Sequence, residues 1–94
     1  MEVLKSYRMQ IDALDAKIVP LLVERFMVID EVGHLKAREN IPAVLEDRIR
    51  EVIDNAASRA ESMGHGNYSD FIREIYTLMV TISCDFEEEI KGNK

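Results

Sequence analysis

Arg25 stands between Leu21 and Val28 in a helical seam where an aliphatic residue is expected. A guanidinium buried there needs a partner or a ligand. The plain alternatives are a salt bridge to Glu24, Asp30 or Glu31, or a side chain that bends out to solvent. Lys36 follows eleven residues later, close to three full turns at about 3.6 residues each, and shares the Arg25 stripe. One clamp can therefore use both. Arg48 sits beside Leu45, Ile49 and Val52, near the inward face of a second helix, and Arg8 flanks Tyr7 and Ile11 on the first. Taken singly, Arg8, Lys36 and Arg48 each also fit a solvated face. Ser83 and Glu87, four apart, stand one above the other on a third helix. There the alternative is a surface serine beside the acidic run Asp85 to Glu89, although Met79, Ser83 and Glu87 share a flank of the apolar stripe.

The elements that must position these groups are helices. The 94-residue chain has no Trp, two Pro and four Gly, and it is rich in good helix formers. Leu4, Tyr7, Ile11, Leu14, Ile18, Leu21, Val28, Val32 and Leu35 recur three and four apart, which predicts one helix from Glu2 to Arg38. Pro20 lies inside it, and a bend between Ala16 and Pro20 is expected. The break comes at Glu39-Asn40-Ile41-Pro42. A second helix is expected from Val44 to Met63, with Leu45, Ile49, Val52, Ala56, Ala60 and Met63 on one face. Gly64-His65-Gly66-Asn67 reads as a turn, with Asn67 available as a cap. The third helix is expected from Tyr68 to Ile90, and the tail from Lys91 to Lys94 should fray. One all-α domain of three helices results.

Geometry then bears on assembly. A helix of about 37 residues is roughly 55 Å long, twice the width of a compact domain of this size. Its seam needs cover that two shorter helices cannot supply, and a symmetric dimer supplies it. Arg8 and Arg25 are seventeen positions apart, or about 25 Å along one helix. If both serve one site, Arg8 must come from the other subunit.

A formal charge of -6 argues against nucleic acid or an anionic membrane as partner. No apolar run resembles a signal peptide or a membrane span, and the lone Cys84 cannot form an internal disulfide. The cytoplasm is the expected compartment. His34, His65 and Cys84 form no ligand-spaced cluster. Glycine-rich phosphate loops and nucleophile elbows are also missing. Neither a metal nor a cofactor is expected, and Cys84 reads as a half-buried helix residue.

The segments Arg8-Met9-Gln10-Ile11-Asp12-Ala13-Leu14-Asp15, Leu22-Val23-Glu24-Arg25 and Glu31-Val32-Gly33-His34-Leu35-Lys36 resemble the first helix of the AroQ-type chorismate mutases. Ile41-Pro42 with Arg48, and Ser83 with Glu87, extend the resemblance over nearly the whole chain. It implies an intertwined homodimer and the rearrangement of chorismate to prephenate, a step towards Phe and Tyr, without a covalent intermediate. A site for this reaction must hold a flexible dianion in its compact conformer and stabilise charge growing on the ether oxygen.

Carried over by position, Arg25 and the other subunit's Arg8 bind carboxylates, Arg48 and Ser83 orient the substrate, and Lys36 donates to the ether oxygen. Glu87 faces the same oxygen and helps only as the protonated acid. Two positions depart from the pattern. Ile49 follows Arg48 where many members carry an acid, and Leu45 stands where an aspartate is common. The relatives of this scaffold that cleave isochorismate to salicylate and pyruvate, those that rearrange 4-amino-4-deoxychorismate, and a non-catalytic dimerisation module remain as alternatives. The resemblance also allows activation by a larger enzyme of the shikimate pathway.

Overall fold

The structure is a computed structural model and describes residues 2–92. Helix α1 spans Glu2–Glu39, α2 Glu46–Ser62 and α3 Ser69–Gly92, with one 3₁₀ turn at Gly66–Tyr68 and no strand among the described residues. Helix α1 continues unbroken through Pro20. It ends where Asn40 adopts a left-handed φ of 57°. The Ile41 amide then donates back to the Lys36 carbonyl at 2.8 Å, the six-to-one bond that closes a helix C-terminus.

Helix α2 starts two residues later than the sequence suggested. Pro42 to Leu45 stay outside the helix, with Leu45 extended at φ -120°. Glu46 and Asp47 supply the negative charge that suits its first turn. Its end is closed by Gly64 at φ 79° and by the His65 amide donating to the Ala60 carbonyl at 2.9 Å. Asn67 lies inside the 3₁₀ turn, not at a helix cap. Helix α3 includes Lys91 and Gly92, which were expected to fray; Asn93 and Lys94 lie outside the described residues.

Helix α3 packs against both other helices. On α2 the contact face is made of small residues, with Ala56, Ala57 and Ala60 all buried, which lets the two backbones approach closely. On α1 the packed face is Leu22, Arg25, Phe26, Ile29, Gly33, Lys36 and Ala37, all buried or half-buried. A Cβ on Gly33 would come within 2.7 Å of Ile90 Cδ1 and 3.5 Å of Glu87 Cα. A side chain there would displace the tip of Ile90 while meeting the α3 backbone only in ordinary contact.

Most of the seam read from the sequence lies outside this face, and only its Arg25 and Val32 positions are half-buried. Tyr7, Ile11, Leu14, Ile18, Leu21 and Val28 are exposed, as is every described side chain of α1 from Val3 to Leu21. The chain measures 54 × 25 × 16 Å with a radius of gyration of 16.6 Å, against about 12 Å for a compact domain of this length. It exposes 7367 Å², which is about 1,800 Å² more than a compact monomer of this mass.

Candidate functional site

The C-terminal half of α1, the start of α2 and the C-terminal half of α3 enclose a cleft of about 430 Å³. Arg25 and Lys36 enter from α1, while Ser83 and Glu87 come from α3. The α2 side is an apolar wall of Leu45, Ile49 and Val52, with Arg48 at its edge. Polar groups thus gather on two sides of a largely hydrophobic space, the arrangement that orients a small ligand.

Arg25 Nη1 donates to Ser83 Oγ at 3.0 Å, and Ser83 Oγ in turn donates to the Met79 carbonyl at 2.9 Å. Among the described residues Arg25 makes no ion pair with Glu24, Asp30 or Glu31. Its guanidinium lines the cleft with a serine, and no carboxylate, as its hydrogen-bond partner. Ser83 and Glu87 are only 3% and 4% exposed, so the surface reading of this pair does not hold. Packing of α3 between α1 and α2 buries both, although the neighbouring Asp85, Glu88 and Glu89 remain exposed.

Lys36 Nζ lies 2.7 Å from Glu87 Oε1, with side-chain exposures of 14% and 6%. It also donates to the Ala43 carbonyl at 3.0 Å. The approach to Oε1 is off the angle a hydrogen bond requires, so this buried oxygen has a cation beside it but no hydrogen-bond donor. One buried acceptor of a cleft-lining residue is thus left without a donor.

Arg48 is mostly exposed and paired with Glu51 one turn on. It borders the cleft without donating into it. Arg8 is exposed on the N-terminal half of α1 and takes no part in this cleft within one chain. The structure thus brings together Arg25, Lys36, Ser83 and Glu87, adds Arg48 at the rim, and leaves Arg8 apart. Ala43 was missed by sequence reasoning, because it takes part through a backbone carbonyl and no side chain signals that. Cys84 lines the cleft as well. Burial first, and then the nearby Glu87, push its thiol above its ordinary range, so it is a poor nucleophile at neutral pH.

The family profile described as chorismate mutase type II matches residues 7–88. This chain belongs to the type II chorismate mutase family. The bifunctional chorismate mutase/prephenate dehydratase of Aquifex aeolicus is 28% identical over 97% of this chain, which spans 25% of that protein. A 4-amino-4-deoxychorismate mutase of Streptomyces pristinaespiralis is 30% identical over 92% of this chain, which spans 65% of that protein. A second 4-amino-4-deoxychorismate mutase, from Streptomyces venezuelae, is 27% identical over 97% of the chain and is spanned to 86% of its length. No solved structure gives a significant match. Among the described residues no helix is long and apolar enough to cross a membrane.

Proposed function

We propose that this chain is a chorismate mutase that rearranges chorismate to prephenate in the biosynthesis of Phe and Tyr, and that it works as a homodimer. The observation that carries the reading is the convergence of Arg25, Lys36, Ser83 and Glu87 on one cleft with an apolar third wall. Such a site suits a compact dianion with a hydrophobic ring, and the family to which the chain belongs supplies the reaction.

The reaction is a concerted shift in which one carbon–oxygen bond breaks as a carbon–carbon bond forms, and no group on the protein is consumed. The site must select the folded conformer and meet negative charge as it grows on the ether oxygen. Arg25, oriented by Ser83, grips one carboxylate. Lys36, held by the Ala43 carbonyl, directs its ammonium at the ether oxygen. Glu87, paired with Lys36, faces the same oxygen and can assist it only on taking up a proton, because a carboxylate would repel the developing charge. Arg48 leaves Glu51 for the substrate once it is bound.

Arg8 of the partner subunit completes the carboxylate clamp. The uncovered seam of α1 supports this assembly: the surplus of about 1,800 Å² over a compact monomer exceeds the ~800 Å² per partner of a standard interface. Paired long helices also supply a route by which Arg8, about 25 Å along α1 from Arg25, reaches the cleft.

The identity of the ring substituent is the finer point. Ile49 and Leu45 line the α2 wall, so a hydroxyl or amino group directed there meets no carboxylate. This favours a neutral hydroxyl over a cationic amine, and hence chorismate over the 4-amino analogue named for two of the relatives. The assay supplies chorismate, 4-amino-4-deoxychorismate and isochorismate separately and follows each product. Fastest turnover of chorismate to prephenate is expected. Faster turnover of the amino compound, or release of salicylate and pyruvate from isochorismate, replaces this substrate assignment. No turnover of any of the three contradicts the enzymatic reading.

A further inference from the structure

Lys91 lies one turn beyond Glu87 on α3, outside the residues that line the cleft. Its ammonium donates to the Ile41 carbonyl at 2.8 Å, across 50 positions of sequence. Two residues on, the Ala43 carbonyl accepts from Lys36 Nζ at 3.0 Å. The Ile41 amide is also engaged, donating to the Lys36 carbonyl at 2.8 Å. The short non-helical stretch between α1 and α2 is thus tied to α3 by one lysine and to the end of α1 by another. In a helix-free segment each such bond replaces ladder bonds that the backbone otherwise lacks.

We infer that Lys91 is a positioning residue: by holding the Ile41 carbonyl it fixes the Ile41–Ala43 stretch, and through the Ala43 carbonyl it fixes the direction of the Lys36 ammonium. The physical reason lies in the Lys36 environment. A lysine ammonium is a compact charge on a flexible stem, with no fork geometry to orient it. Here its place is set by the charge of Glu87 beside it and its direction by the Ala43 carbonyl, which accepts its hydrogen bond. The first sits on a rigid helix. The second sits on a segment without helical bonds of its own, and that segment keeps its place only if it is tied down. Glu87 and Lys91 both project from the same end of α3, so one helix supplies the counter-charge of Lys36 and anchors the segment that supplies its acceptor. Lys91 touches no substrate in this arrangement; its effect passes through Lys36.

This inference rests on the mutase reading for its kinetic arm and is independent of it for its structural arm. The structural arm compares amide hydrogen exchange at Ile41, whose amide donates to the Lys36 carbonyl, in the full chain and in Lys91→Met and Lys91→Arg. Met keeps the stem and loses the donor, whereas Arg keeps a donor. Exchange should speed up about tenfold or more in Lys91→Met and return towards the native rate in Lys91→Arg. Unchanged exchange in Lys91→Met overturns the inference, whatever the enzyme does.

The kinetic arm measures kcat and KM with chorismate. Lys91→Met should lose about tenfold in kcat with KM kept within about twofold, because the contact with Lys36 strengthens only as charge develops. Lys91→Arg should recover most of the loss. In a Lys36→Gln background the Lys91→Met change should cost little more, since both act through one group. Independent, multiplying losses, or a loss confined to KM, overturn the assigned route. If the native chain turns over no substrate, the mutase reading fails, and the exchange experiment still decides whether Lys91 holds the segment.

Discussion

Replacing Lys36 by Met should destabilise the protein, and replacing Glu87 by Met as well should restore part of the loss. The two charged groups are 2.7 Å apart with side-chain exposures of 14% and 6%. At an effective dielectric of about 20 their gross attraction is about 6 kcal/mol. Desolvation removes several kcal/mol for each ion, so the net contribution of the pair is close to zero. Removing one partner is different. In Lys36→Met the Glu87 carboxyl stays buried with its cation gone, and such uncompensated charges cost about 3 to 5 kcal/mol. In the double variant nothing charged is left behind, and two unbranched apolar side chains can fill the space. Urea unfolding at fixed protein concentration checks this, because dimer stability depends on concentration. The double variant should be more stable than Lys36→Met by about 2 kcal/mol or more, yet without activity. If the two losses simply add, Lys36 and Glu87 are not coupled in the folded chain, and the reasoning about a buried, mutually dependent pair is wrong.

Leu14→Asp should leave the fold of each chain intact and abolish pairing, since Leu14 is 56% exposed in the single chain and a carboxylate buried in an apolar seam costs several kcal/mol; sedimentation should report monomer, and turnover should fall with it. A dimer that survives this change places the interface elsewhere. Cys84 should alkylate slowly at pH 7, because burial and then Glu87 raise its pKa. For an acid raised in the folded state the contribution to stability is full below the unfolded pKa of about 8.5 and is lost as pH rises through the folded value. The labelling rate should therefore climb at higher pH than for the unfolded chain, and added chorismate should slow it. Rapid labelling at pH 7 contradicts this.

The three helices were legible from apolar spacing, and so was the break after Glu39. The shared stripe of Arg25 and Lys36 followed from eleven residues being nearly three turns, and both side chains do enter one cleft. What the spacing could not tell was which of two apolar faces of α1 is packed within the chain. Leu22, Phe26 and Ile29 meet α3, whereas Leu21, Val28 and most of the seam stay uncovered. Periodicity ranks a face by its side chains and is blind to whether cis or trans contacts bury it. Ser83 and Glu87 were singled out by their spacing and shared flank, but the acidic run favoured a surface alternative for them, and the packing of α3 between two helices decides that both are inside. Ala43 and Lys91 act through backbone carbonyls of an irregular segment, which no residue pattern encodes. The late start of α2 has the same origin: Val44 and Leu45 stay outside the helix, directly after the Ala43 carbonyl that accepts from Lys36.

The claim that one site draws on two chains is tested most directly by mixing two inactive variants. Arg8→Ala and Arg25→Ala should each lose nearly all chorismate turnover while remaining folded dimers. If each site uses Arg25 of its own chain and Arg8 of the partner subunit, mixed dimers formed by unfolding and refolding an equal mixture carry one intact site each. About one quarter of native activity should then return, since half of the dimers are mixed and each has one good site of two. If activity does not return from a mixture shown to contain mixed dimers, the two arginines do not serve a shared site in this way, and the inter-subunit account is contradicted.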